Sequence, residues 1–184
     1  MNKNYRVNRK DVALMIIDIQ DSLAKAVANE EEMKKETQLL IKAANILDIP
    51  IVFTTQYKKG LGDTNQELID LAPNAPSYDK VHFGIFGEEE IKDAVEKMGK
   101  KQFIVVGMET HICVLNSVID LLEAGYEVFV PFGAVSSRDE KNTKNALDLM
   151  SKMGAVVNNT ETILFQLCVK STLPEFKEVQ NLIK

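Results

Sequence analysis

The 184 residues, 45% of them apolar and 27% charged, suit a single globular domain with a sizeable core. A formal charge of −5, with no Lys/Arg cluster, excludes a nucleic-acid surface, and no apolar run approaches the roughly 20 residues of a membrane span. The polar start from Met1 to Lys10 lacks a signal peptide's apolar segment, and two cysteines without a Cys-x-x-Cys spacing point to a reducing cytoplasm.

In chain order, the pattern predicts strand over 12–18, helix over 31–47, strand over 51–55 and a short strand near Val81. Helix over 88–98, strand over 103–107, helix over 112–123, strand over 127–131, helix over 139–153 and strand over 155–157 follow. Short helical stretches close the chain at 160–167 and 173–183, with Thr160 and Ser171 as expected N-caps and Pro174 in the last helix's first turn. Val12-Ala13-Leu14-Met15-Ile16-Ile17 is continuously apolar rather than alternating, as in a parallel strand covered on both faces. Strands alternating with helices then give an α/β domain over 1–184. Its expected form is three-layered and doubly wound, with a mostly parallel, Rossmann-like sheet of six strands.

In such sheets a ligand lies beyond the carboxyl ends of the strands, where the strand order reverses. Asp18-Ile19-Gln20 ends the first strand, Gln56-Tyr57 the second, and Glu109 to Cys113 follow the fourth. If the first and fourth strands are neighbours, Asp18 and Cys113 face one crevice. Cys113 sits where a helix begins, and that positive end favours the nucleophilic thiolate. A thiol needs a base, and Asp18, directly after six apolar residues, suits that role better than that of a turn residue. Lys80 adds a cation that would hold both groups as anions, although read alone it suits a surface beside Asp79.

Other marked residues read as structural. His111, two residues before Cys113 on a helix start, points to a different side from the sulfur, and Cys168 lies in a plain apolar stretch. Ser136-Ser137-Arg138 suits a cap for the next helix, with Arg138 in a structural or subunit-interface pair. An oxidoreductase is excluded because Asp18-Ile19-Gln20-Asp21-Ser22 has no Gly-rich turn.

Asp18, Lys80 and Cys113, in that order, resemble the catalytic set of the isochorismatase-like cysteine hydrolase superfamily. Leu14 to Gln20, Thr54-Thr55-Gln56-Tyr57, Gly107 to Val114, Ala134 to Arg138 and Gly154 to Val157 with Glu161-Thr162 carry the likeness, from about Asp11 to Phe165. The resemblance implies Cys113 as nucleophile, Asp18 as base and Lys80 as the third member. It also implies a non-proline cis peptide at Met108–Glu109, with the Glu109 and Cys113 backbone N–H groups as an oxyanion hole. The implied reaction is cleavage of an amide, related C–N or ester bond of a small molecule through an acyl-enzyme. Nicotinamidases carry an Asp/His metal cluster after the second strand. Here Gln56 to Thr64 has no histidine, and His82 stands alone, so no metal and no cofactor are expected. The segment Gln56-Tyr57-x-x-Gly-Leu-Gly is closest to the isochorismatase-domain-containing branch. Gln56, Tyr57, Phe83 and Phe86 are candidate substrate contacts, and for the aromatics core packing is as good a reading. Homo-oligomers are common in the family. A binding protein that keeps the fold, or a vinyl-ether hydrolase, are the competing readings.

Overall fold

β1 (Val12–Ile17) is buried along its whole length, and its side chains alternate between two separate apolar clusters. Val12, Leu14 and Ile16 face one; Ala13, Met15 and Ile17 face the other. Both faces are covered, which is why the strand shows no polar alternation. The computed structural model describes residues 4–184.

The chain then runs α1 (Asp21–Ala24), α2 (Glu30–Ile46), β2 (Ile51–Gln56), α3 (Lys58–Leu61), α4 (Gln66–Leu71) and β3 (Ser77–Lys80). Next come α5 (Glu89–Lys97), β4 (Gln102–Met108), α6 (Leu115–Glu123), β5 (Glu127–Pro131) and β6 (Val135–Ser136). The last elements are α7 (Glu140–Met153), β7 (Val156–Asn158), α8 (Thr160–Cys168) and α9 (Phe176–Asn181). The strands form one parallel sheet in the order β3-β2-β1-β4-β5-β7, with β6 beside β4. The order reverses between β1 and β4, so the crevice of a doubly wound sheet opens there.

Helical periodicity places the two outer layers. α2 buries Met33, Thr37, Leu40, Ile41 and Ala44 on one stripe, while Glu30, Glu31 and Glu32 face its positive end. With α8 and α9 it covers the Leu14 face. α5, through Ile91 and Val95, covers the Met15 face together with α6 and α7. Each fully buried Ile or Leu contributes about 1.5–3 kcal/mol relative to exposure.

The structure corrects several expectations. The sheet has a seventh, two-residue strand: β5 pairs with β4 only along Gln102–Ile104, and β6 takes its place beside Gly107 and Met108. The short third strand ends at Lys80, opposite Gln56, and Val81 lies exposed beyond it, because β2 offers no partner further on. Asn159, not Thr160, caps α8, its side chain accepting from the Thr162 N–H, and α9 begins after Glu175 rather than near Ser171. Asp139 caps α7 by accepting from the Lys141 N–H, so the Ser136–Arg138 segment is left for other work.

Candidate active site

The crevice is set by backbone. Ile17 of β1 lies opposite Gly107 of β4, and a Cβ at residue 107 would stand 2.0 Å from the Ile17 carbonyl oxygen. Gly107 also has φ +122, a conformation open to glycine. Past this contact the two chains separate. Asp18 adopts a left-handed φ of 52, which Asp tolerates better than most residues, and its side chain turns into the protein. On the other side the Met108–Glu109 peptide bond is cis, and Thr110–Val114 forms a single π-helical turn before α6. The sequence predicted an α-helix starting at Ile112. The wider turn instead closes from the Val114 N–H to the Glu109 carbonyl at 3.2 Å, a device found often at functional sites.

Asp18, Lys80 and Cys113 meet in this crevice, all three buried. Lys80 Nζ donates to Asp18 Oδ2 at 2.7 Å, to Gln56 Oε1 at 2.7 Å and to the His82 carbonyl at 3.2 Å. The second Asp18 oxygen accepts from Thr54 Oγ1 at 2.7 Å. The ion pair is therefore fully desolvated and fully hydrogen-bonded, the condition under which a buried pair persists. Cys113 Sγ lies 3.7 Å from Gln56 Oε1, in hydrogen-bonding reach for a thiol.

Charge and burial decide the resting state of that thiol. Burial first, and the neighbouring Asp18 carboxylate second, push it up to about 12, and Lys80 offsets only part of this. This corrects the expectation of a resting thiolate at a helix N-terminus. Burial and the neighbouring anion disfavour the thiolate more than the Lys80 cation favours it. The site thus holds a neutral thiol beside a carboxylate that can take its proton.

The remaining predicted residues divide. Gln56 reaches the centre: its Nε2 donates to the Val81 carbonyl at 3.0 Å, and its backbone is bound on both sides by the buried Gln20 amide. Tyr57 and Phe83 stand half-exposed near the ends of β2 and β3, with Tyr57 in a left-handed conformation, whereas Phe86 packs against the cluster that contains Cys113. The mostly buried Glu109 side chain accepts from the Arg138 backbone N–H and Nε, which pairs Arg138 within the chain. His111 Nδ1 contacts Ser137 Oγ at 2.9 Å, away from the sulfur. Cys113 and Cys168 are both free and buried. Among the described residues, no three His, Cys, Asp or Glu side chains cluster as metal ligands.

Two residues to which the sequence reading gave no role act on the site. Thr54 fixes the Asp18 carboxylate, and period 2 along β2 was its only available signal. Glu88 ties the turn after Lys80, its Oε1 accepting from the Val81 and His82 backbone N–H groups and contacting His82 Nδ1 at 2.9 Å. Nothing local in the sequence marks it. The Val81 N–H, and then the His82 ring, hold the Glu88 carboxyl below its usual range.

Comparison with known proteins identifies the family and the fold. The profile of the isochorismatase domain matches residues 12–162. A secreted isochorismatase effector, Isc1, of Phytophthora sojae is 34% identical over 175 residues, 93% of this chain and 83% of that protein. Among solved structures, the MAR1 ribonuclease of Caenorhabditis elegans superimposes with a TM-score of 0.91 at 38% identity, covering 97% of this chain and 92% of that one. The YcaC gene product of Escherichia coli, described as an octameric hydrolase of unknown specificity, gives a TM-score of 0.88 at 25% identity. That match covers 100% of this chain and 97% of the other.

Proposed function

The chain belongs to the isochorismatase family, and from that premise we propose that it is a cysteine hydrolase cleaving an amide, related C–N or ester bond in a small molecule. One observation carries this reading: a buried, fully hydrogen-bonded Asp18–Lys80 pair lies beside a thiol that keeps its proton. A binding protein gains nothing from burying such a pair, which costs several kcal/mol per ion in desolvation (roughly).

For an amide, Asp18 takes the Cys113 proton as the sulfur attacks the carbonyl carbon. Negative charge moves to the carbonyl oxygen, where the Glu109 and Cys113 backbone N–H groups are the proposed donors. Collapse breaks the C–N bond, the amine leaves with the proton held by Asp18, and a thioester remains. Water, deprotonated by Asp18, attacks the thioester; the acid leaves and the sulfur regains its proton. Lys80 stays cationic throughout and stabilises whichever neighbour carries the negative charge. Tyr57, Phe83 and Phe86 are the proposed substrate contacts.

The ribonuclease designation of the nematode protein fits this chain less well, because a net charge of −5 does not favour attraction to a phosphate backbone. The octameric neighbour supports assembly of this chain into a homo-oligomer, which light scattering on a sizing column would measure. No helix among the described residues is long and apolar enough to cross a membrane. Cytoplasmic residence is our reading from the free thiols, and cell fractionation tests it.

Alkylation by iodoacetamide, located by mass spectrometry across pH 6–9 (roughly), tests the chemistry. A free thiol reacts about tenfold faster per pH unit below its pKa, since only thiolate reacts. With Asp18 as base, the Cys113 rate instead levels off across this range, and Asp18→Asn lowers it by about a hundredfold or more. A Cys113 rate that climbs like that of a free thiol and ignores Asp18→Asn would sink the proposal.

A further inference from the structure

The Gln56 side chain is not free to serve only a substrate. Its amide is oriented by two partners of opposite kind: Oε1 accepts from the Lys80 ammonium, and Nε2 donates to the Val81 carbonyl. An ammonium has no acceptor lone pair and a carbonyl no proton, so the amide cannot be turned over. Its main chain is equally fixed, because Gln20 Oε1 accepts from the Gln56 N–H at 2.7 Å and Gln20 Nε2 donates to the Gln56 carbonyl at 3.1 Å. Oε1 therefore presents its second lone pair at a fixed point, and Cys113 Sγ lies 3.7 Å from it.

Both oxygens of Asp18 already have strong donors, Thr54 and Lys80. Asp18 also stands as a hydrogen-bond neighbour of the thiol, but the contact with donor geometry runs from Cys113 Sγ to Gln56 Oε1, and a thiol has one weak proton to give to one acceptor at a time. We propose that Gln56 is a catalytic residue whose Oε1 holds the Cys113 S–H in the resting enzyme, and that the proton passes to Asp18 only when the thiol swings away from this oxygen on attack. The proton then leaves sulfur for a carboxylate oxygen, the S–C bond forms, and the freed Gln56 lone pair faces the acyl-enzyme. The role in turnover rests on the hydrolase reading above, whereas the S–H contact itself does not.

The S–H stretch falls in a region of the infrared clear of other protein bands, and hydrogen bonding lowers and broadens it. The Cys113 band is obtained by subtracting the spectrum of Cys113→Ala, which leaves Cys168 in both. The expected result is a lowered Cys113 band in the full-length protein that moves up toward an unbonded thiol in Gln56→Met and stays in place in Asp18→Asn. A band that ignores Gln56→Met but moves in Asp18→Asn overturns the proposal, because the thiol would then rest on Asp18.

Alkylation near pH 8 supplies the second reading. Gln56→Met, which removes the acceptor, is expected to raise the Cys113 rate about tenfold, and the isosteric Gln56→Glu, which adds a carboxylate, to lower it about tenfold. A purely structural role would slow both or neither. Because the two variants act in opposite directions, either one carries the test if the other fails to fold. Lowered bands with no Asp18 dependence of alkylation would leave the Gln56 contact standing and remove the hydrolase reading instead.

Discussion

The two ends of the sheet both bury polar side chains, and they do so in opposite styles. At the amino end Gln102, 2% exposed, ties down the N-terminal arm: Oε1 accepts from the Asn8 N–H at 2.6 Å, and Nε2 donates to the Arg6 carbonyl and Glu127. Gln166 and Glu127 accept from the Val7 and Asn4 N–H groups alongside it. A neutral amide meets backbone there, and the result is a fastened strap. At the carboxyl end a buried ion pair, Asp18 and Lys80, is bound by the Thr54 and Gln56 side chains, and the thiol has only a weak contact. The first arrangement stabilises the fold. The second concentrates charge where folding alone would prefer apolar side chains.

This contrast can be broken most forcefully at Lys80. Lys80→Met leaves the Asp18 carboxylate buried with only the Thr54 hydroxyl, and is expected to cost about 3–5 kcal/mol in urea unfolding. Adding Asp18→Asn to the same chain should recover a large part of that loss, since a neutral amide tolerates burial better. A loss below about 1 kcal/mol for Lys80→Met would mean the pair is not desolvated as described. Gln102→Leu is next in size. It releases the arm and should cost about 1–3 kcal/mol, while the Cys113 alkylation rate stays at its original value. A change in that rate would show the two ends to be coupled.

The most gradual effect lies in alkaline solution. The Cys113 thiol is raised in the folded chain from 9.0 to about 12, so its contribution is fully present below pH 9 and is lost as pH rises toward 12. In that window the folded chain keeps a proton that the unfolded chain has released, and stability falls by at most about 1.4 kcal/mol per pH unit from this one group. Cys113→Ala should fall less steeply than the original protein over the same window. Parallel curves for the two would mean the thiol ionises freely in the fold.

The parts of this molecule that are local in sequence were legible from it. The continuous apolar run of β1, the helix stripes and the order of elements all follow from periodicity and put Asp18 and Cys113 at strand ends; that those strands are neighbours was a condition, met by the pairing of β1 with β4. Lys80 was not legible by itself. Its burial comes from β3 pairing with β2 so that Lys80 falls opposite Gln56, which is a register set by chain far away in sequence. The roles of Glu88 and Thr54 were not read for the same reason, since each acts on a residue it meets only after folding. The short α1, α3 and α4 were missed because four to six residues are too few for a period to be seen. The caps at Asn159 and Asp139 differ from expectation by one to three positions, because neighbouring Ser, Thr, Asn and Asp compete for the same backbone N–H groups.

The contact between Gly107 and the Ile17 carbonyl has a practical meaning for anyone who wishes to change what this protein acts on. The gap between acid and sulfur is gauged by main chain touching main chain, much as a spacer sets two electrodes. On the proposed reading, libraries at Tyr57, Phe83 and Phe86 would vary the substrate contacts while Asp18 and Cys113 keep their spacing, and residue 107 is the position to leave out of them.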